Sequence, residues 1–262
     1  MYFSFTSKLN LRDAWDELMG ISRIVSPAIQ DESSLPTHAV NEQVAPTPLI
    51  LLDWDDTLLP NTHLAKLGFT SEDQAFQVPN DCVSVLAELA NEVETFLTAC
   101  LKLGTCYIVT NGLQGWVERS CERFLPNIVP LLKRMTIISA RSSFENVFPD
   151  RPIEWKIAVY HDILAKRGLM QMARIQTHSG YVQQQECELQ QVIALGDSHV
   201  DRCAIQYVAQ RTPKIQLKSI KLLDNPSMTQ LRKQVHLLGT FLEQLSTHDE
   251  TLDLELSNDM LK

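Results

Sequence analysis

Short apolar runs rich in β-branched residues recur along the chain and alternate with stretches of helical period. Runs at 48–53, 105–110, 135–140, 191–196 and 213–218 predict strands. Between them, residues 80–103 place Val85, Leu86, Leu89, Val93, Phe96, Leu97 and Cys100 on one face and then meet Gly104, which predicts a helix that stops there. Residues 113–133 predict a second helix, carrying Trp116, Val117, Phe124, Ile128 and Leu131, that Pro126 and Pro130 must bend or split. A third is predicted over 152–167, opened by Asp150 and Pro152 and closed by Gly168, and a fourth over 200–210. Alternation of this kind predicts an α/β fold: a three-layer, doubly wound, Rossmann-like sheet, mainly parallel, with helices on both faces. Ligands in such folds bind beyond the carboxyl ends of the strands.

The flanks read differently. Leu11, Trp15, Leu18 and Ile21 or Ile24 suggest a peripheral amphipathic helix, and residues 26–47 a polar, Pro- and Ser-containing linker, so 1–47 is expected to precede an α/β domain over 48–240. Residues 241–262 read as an acidic, solvated tail, because six acids from Glu243 onward face only Lys262. The glutamine-rich stretch 171–190 reads as a surface excursion.

Composition narrows the field. With 44% hydrophobic and 21% charged residues the chain can build a full core. A net charge of −9 disfavours nucleic acid as a partner. No apolar stretch approaches the roughly 18 residues of a membrane span. The first ten residues lack a charged region followed by an apolar run, so nothing there marks the chain for secretion, and its unpaired pattern of cysteines fits a reducing cytoplasm or a nucleus. The six cysteines show no spacing for zinc or a redox dithiol, and none is followed by five residues and Arg, which argues against thiol-based phosphate chemistry.

Polar clusters stand where the predicted strands end. Asp53 and Asp55 close the first run, Thr110-Asn111-Gly112 the second, and Gly196-Asp197 the fourth. Carboxylates at the end of a buried strand are costly without a cation, and Mg²⁺ prefers a few carboxylates together with water and phosphate oxygens. Residues two apart on an extended segment share a face, so Asp53 and Asp55 can address one centre while Trp54 turns away. Two such carboxylates suit phosphoryl transfer: Asp53 as nucleophile and Asp55 as general acid and base, with Asp56 capping the turn. Asp197 and Asp201 complete the expected metal ligands beside Asp53 and Asp55, Asp201 binding directly, through water, or orienting a neighbour. Thr110, Asn111 and Gly112 form a phosphate cradle at a helix start. Lys156 is the expected counter-charge, with Arg141 in reserve.

The ordered set resembles the haloacid dehalogenase-like (HAD) phosphohydrolase superfamily. The resemblance rests on Asp53-Trp54-Asp55-Asp56-Thr57, the apolar run ending in Thr110, Lys156, and Gly196-Asp197-Ser198-His199-Val200-Asp201, and it spans residues 48 to about 218. It implies a Mg²⁺-dependent phosphoric monoester hydrolase working through an aspartyl-phosphate, since an aspartate two residues after the nucleophile marks phosphatases and phosphotransferases and is lacking in dehalogenases. Cap domains of that family enter after the first motif or after the third strand. Here both intervals are short, which implies a HAD-like fold with no large cap domain. An uncovered site would admit a phosphoprotein as well as a small phosphoester. Two other readings stay open: a regulatory module that binds metal and phosphate without turnover, and a phosphotransferase.

Overall fold

Four residues buried on both faces, Leu49–Leu52, make β1, as a central parallel strand requires. The computed structural model describes residues 47–170 and 189–261. The expected N-terminal helix and linker, most of the glutamine-rich excursion and Cys187 lie outside the described residues. After β1 come α1 (Asn61–Lys66), α2 (Asn80–Leu103), β2 (Thr105–Thr110), α3 (Trp116–Phe124), α4 (Val129–Leu132), β3 (Thr136–Ser139), α5 (Ala140–Phe144), α6 (Pro152–Lys166), β4 (Gln190–Gly196), α7 (His199–Ala209), β5 (Ile215–Lys221), α8 (Met228–Thr247) and β6 (Leu252–Glu255).

The strands form one sheet in the order β3-β2-β1-β4-β5-β6, and each neighbouring pair is parallel. Strand addition proceeds outward from β1 to β3, then resumes on the other side of β1 with β4. That reversal opens a crevice between the carboxyl ends of β1 and β4, where doubly wound sheets take their ligands. Ile50, Leu52, Ile108, Ile193 and Leu195 face one core, shared with α2, α3 and α8. The alternate residues, among them Leu49 and Leu51, face the side covered by α5, α6 and α7. The three-layer Rossmann-like α/β architecture expected from the alternation is what the chain forms.

Boundaries follow the pattern closely where periodicity is strong. The helix over 80–103 runs from Asn80 to Leu103. Pro126 ends the next one, and a 3-10 turn over Pro126–Ile128 leads into α4 with Pro130 in its first turn.

The C-terminal region differs from its reading as a solvated tail. Residues 228–247 are helical, started by a capping box between Ser227 and Gln230 and packed through Leu231, Val235, Leu238, Leu242 and Leu245. Beyond it β6 pairs in parallel with β5, Lys218 opposite Leu252 and Lys221 opposite Glu255. Charge counting concealed a period of two: Leu252, Leu254 and Leu256 alternate with Asp253 and Glu255. The acids are met by Arg202 of α7, at 2.8 Å from each of Asp253 and Glu255, and by Lys221 of β5 at 3.6 Å from Glu255. Two of the six acids that read as surplus negative charge, Asp253 and Glu255, are thus one half of an ion-pair set along an edge strand.

Neither interval open to a cap builds a separate domain. α1 is six residues long, and the segment after it lays Phe69 and Phe76 against Phe124 of α3, with ring centroids 4.9 and 6.4 Å away. After β3 comes only α5 before α6 begins.

Candidate functional site

Asp53 extends the register of β1 by one residue: its N–H donates to the Leu195 carbonyl at 2.9 Å, which brings its carboxylate to the crevice. Trp54 turns to the opposite side, where it is fully buried and donates from Nε1 to Ser120 Oγ of α3 at 2.9 Å. The chain then tightens, with the Leu58 and Leu59 N–H groups both reaching the Trp54 carbonyl. Asp56 sits at φ +53°, a left-handed conformation that aspartate tolerates better than most residues. Its carboxylate accepts from the N–H of Thr62 at 2.9 Å and from the Thr62 hydroxyl, capping α1.

At the end of β4, Ser198 caps α7 in a reciprocal box with Asp201. The box aims Asp201 back over Gly196, where an added Cβ would lie 2.4 Å from Asp201 Cγ. Only glycine permits that approach. Gly196→Ala is therefore expected to dislodge Asp201 and to destabilise the fold by about 1–3 kcal/mol, measured as a lower denaturant midpoint at unchanged slope.

Lys156 comes from the second turn of α6, in a run from Glu154 to Tyr160 that is buried throughout. Its ammonium donates to Asp53 Oδ1 at 2.7 Å and to Asp201 Oδ1. Arg141, the reserve cation, is engaged elsewhere: it pairs with Glu145 and stacks over Trp155. Asp53, Asp197 and Asp201 bring carboxylate oxygens within 4.8 Å of one another. The side chain of Asp55, expected among the metal ligands, stands outside this group. Its Oδ1 accepts from Trp116 Nε1 at 2.9 Å and its Oδ2 from Thr110 Oγ1 at 3.2 Å.

Of the expected cradle, the Gly112 N–H donates to Thr110 Oγ1 at 2.9 Å and so orients the threonine. Asn111 Oδ1 is buried with no partner among the described residues. These groups line a cleft of about 660 Å³ with Phe69, Trp116 and Arg119 along its walls. Phe69 and Arg119 belong to no motif, and Trp116 falls among the apolar residues of the predicted helix, so no motif assigns any of the three to the cleft. One signal was present: Trp116 and Arg119, three apart on α3, share a face.

Negative charge dominates. Asp53, Asp55, Asp56, Asp197 and Asp201 all line the cleft, with Lys156 and Arg119 as its cations. Burial pushes the Asp53 carboxyl well above its ordinary value, with Asp201, Asp55 and Asp197 adding to the rise and Lys156 opposing it. Burial also raises Asp55, against the hydrogen bonds from Trp116 and Thr110. Asp197 is pushed up to about 7 by burial and by Asp201 and Asp56. Burial alone would lower the Lys156 ammonium, but Asp201 and Asp53 outweigh it and hold it well above a lysine's ordinary value. One ammonium does not satisfy this set. An all-oxygen donor group with raised carboxyl pKa values fits a hard divalent cation. Asp53 and Asp197 suit direct ligation best, because Asp201 already serves Lys156 with one oxygen and Ser198 with the other.

No protein-family model matches the chain, and no curated protein or solved structure matches it either. Among the described residues no helix is long and apolar enough to cross a membrane.

Proposed function

We propose that the protein is a Mg²⁺-dependent phosphoric monoester hydrolase of the haloacid dehalogenase-like kind, working through an aspartyl-phosphate on Asp53. One observation carries the reading: Asp53, beside Lys156 at 2.7 Å, faces Asp197 across the crevice between β1 and β4, with Asp55 two residues away in separate hydrogen bonds. A structural cation site has no use for that second, separately held carboxylate.

Residue roles follow from the placement. Bound by Asp53 and Asp197, Mg²⁺ would neutralise the acid cluster and polarise the phosphoryl oxygens. The Asp53 carboxylate attacks phosphorus as the bond to the leaving oxygen breaks. Asp55 gives its proton to that oxygen and later takes one from the water that releases phosphate. Lys156 orients Asp53 and counters charge on the transferring group. The Thr110 hydroxyl and the Asn111 amide would line the phosphoryl group. The breadth of the cleft suits a phosphoester carried on a bulky molecule, a phosphoprotein included.

A panel of phosphopeptides, sugar phosphates, nucleotides and aryl phosphates, assayed with and without Mg²⁺, tests the reading. Release of phosphate that depends on Mg²⁺ from any of them supports it, and inertness across the whole panel sinks it.

A second consequence concerns stability. Carboxyls with raised folded-state pKa values bind more protons folded than unfolded, so their contribution favours folding as pH falls from above 7 toward 4. Without metal, the protein should therefore melt higher at pH 5.5 than at pH 8. Added Mg²⁺ should raise the pH 8 value and flatten the difference. Thermal scans at both pH values with chelator or with Mg²⁺ check this. A metal-free protein that melts higher at pH 8 would contradict it.

A further inference from the structure

We infer that Trp116 is a positioning residue for Asp55, fixing which carboxyl oxygen carries the proton delivered to the leaving group. The inference rests on the phosphatase reading above and adds to it a residue outside the sequence motifs.

The two oxygens of Asp55 face different partners. Oδ1 accepts from Trp116 Nε1 at 2.9 Å. An indole N–H donates and never accepts, so this oxygen stays an acceptor in either protonation state. Oδ2 meets Thr110 Oγ1 at 3.2 Å, and a hydroxyl both donates and accepts. The transferable proton is thereby confined to Oδ2. In the first chemical step the bond from phosphorus to the leaving oxygen breaks and the bond from Asp53 to phosphorus forms. The Oδ2 proton passes to the departing oxygen to give an alcohol, and Asp55 is left as the carboxylate that later deprotonates water.

The indole is held for this task by more than its own contact. Phe69 stacks on it, with ring centroids 6.3 Å apart and planes 22° from parallel. Arg123 lies over Phe69 and Phe76 and donates to the Phe76 carbonyl at 2.8 Å. Gly112 leaves the ring its space, since a Cβ there would come within 2.4 Å of Trp116 Cδ1. The Trp116 carbonyl accepts from Ser120 Oγ at 2.7 Å, and that same oxygen receives Nε1 of Trp54. The turn carrying Asp53 and Asp55 is thus tied to α3 by two indole N–H bonds, Trp116 donating to Asp55 and Trp54 donating to Ser120. Packing accounts for the ring, but not for an N–H directed at a half-buried carboxylate that lines the cleft.

Trp116→Phe keeps an aromatic ring and removes the donor. With Mg²⁺ present, kcat/KM is measured on a phosphate monoester series from 2,4-dinitrophenyl phosphate, which needs no protonation of its leaving group, to alkyl phosphates, which depend on it. The variant should lose at least about tenfold more on the alkyl than on the dinitrophenyl ester, within the contribution general acids make. Replacing Trp116 by β-(3-benzothienyl)alanine, which has sulfur in place of the N–H at nearly the same shape, should give the same discrimination even if phenylalanine packs poorly. An equal loss along the series, or none, in the isosteric variant overturns the inference and leaves the phosphatase reading standing. A wild-type protein inert on all the esters overturns both.

Discussion

Asp53→Asn is expected to lower turnover of any phosphoester the wild-type protein hydrolyses by about 10³-fold or more, the scale seen when a covalent nucleophile is removed. The same substitution should leave the metal-free protein at least as stable as wild type. Burial and three neighbouring acids push the Asp53 carboxyl up, so its charge is a burden on the fold. Asparagine has nearly the same shape, and Lys156 retains Asp201 as a partner. Each kcal/mol gained would appear as about 2–4 °C in melting temperature for a domain of this size. Steady-state rates on the most active ester of the panel, paired with melts in chelator, give both halves of the result. Large loss of activity together with a large loss of stability would mean that Asp53 holds the fold instead of performing the chemistry.

Lys156→Met should behave in the opposite way. Its ammonium is buried and bridges Asp53 and Asp201 from a stretch of helix, Glu154 to His161, that is buried throughout. Removing one partner of a buried charge set leaves the others uncompensated, at a cost of about 3–5 kcal/mol. Activity should be lost with it, since among the described residues Lys156 alone places an ammonium against Asp53 and Asp201. The penalty should shrink as pH falls, because protonated carboxyls no longer need the cation. Adding Asp53→Asn to Lys156→Met should recover part of the stability, a non-additivity expected of groups in direct contact. Denaturant titrations of the two single variants and the double variant, at pH 8 and pH 5.5, measure each of these. Equal costs at the two pH values would show that Lys156 contributes through its packing alone.

These contrasts follow from side chains that sequence made legible to different degrees. Asp53, Asp55, Thr110, Lys156 and Asp197 stand at strand ends or on an early helical turn, where periodicity changes abruptly, and their convergence follows once the strands are parallel. Trp54 could be placed on the far face because alternation along a strand is a strict rule. Asp55 was harder. Sharing a face with Asp53 suggests a shared metal, but the chain leaves the strand at Leu52, and the turn hands its carboxylate to Trp116 and Thr110. Trp116 is legible only as an apolar residue of its helix, because the hydrogen bond it makes depends on how α3 docks, which no local pattern encodes. The C-terminal strand was hidden for another reason. Its acids balance Arg202 and Lys221, residues more than thirty positions earlier, and counting charge along a short window cannot see a partner that far away.

The pairing of β1 with β4 also bears on how the molecule reaches its native state. Leu52 meets Leu195 only after most of the chain has been synthesised. Until then Asp53 has neither Leu195 to receive its N–H nor Asp197 across from it, and its carboxylate remains hydrated. Closing so long a loop costs only slightly more than closing a short one, but the search is slow, as for other non-local contacts. Burial of Asp53 between β1 and β4 therefore waits on that closure, and its carboxylate gives up its water only when the central strand pair forms.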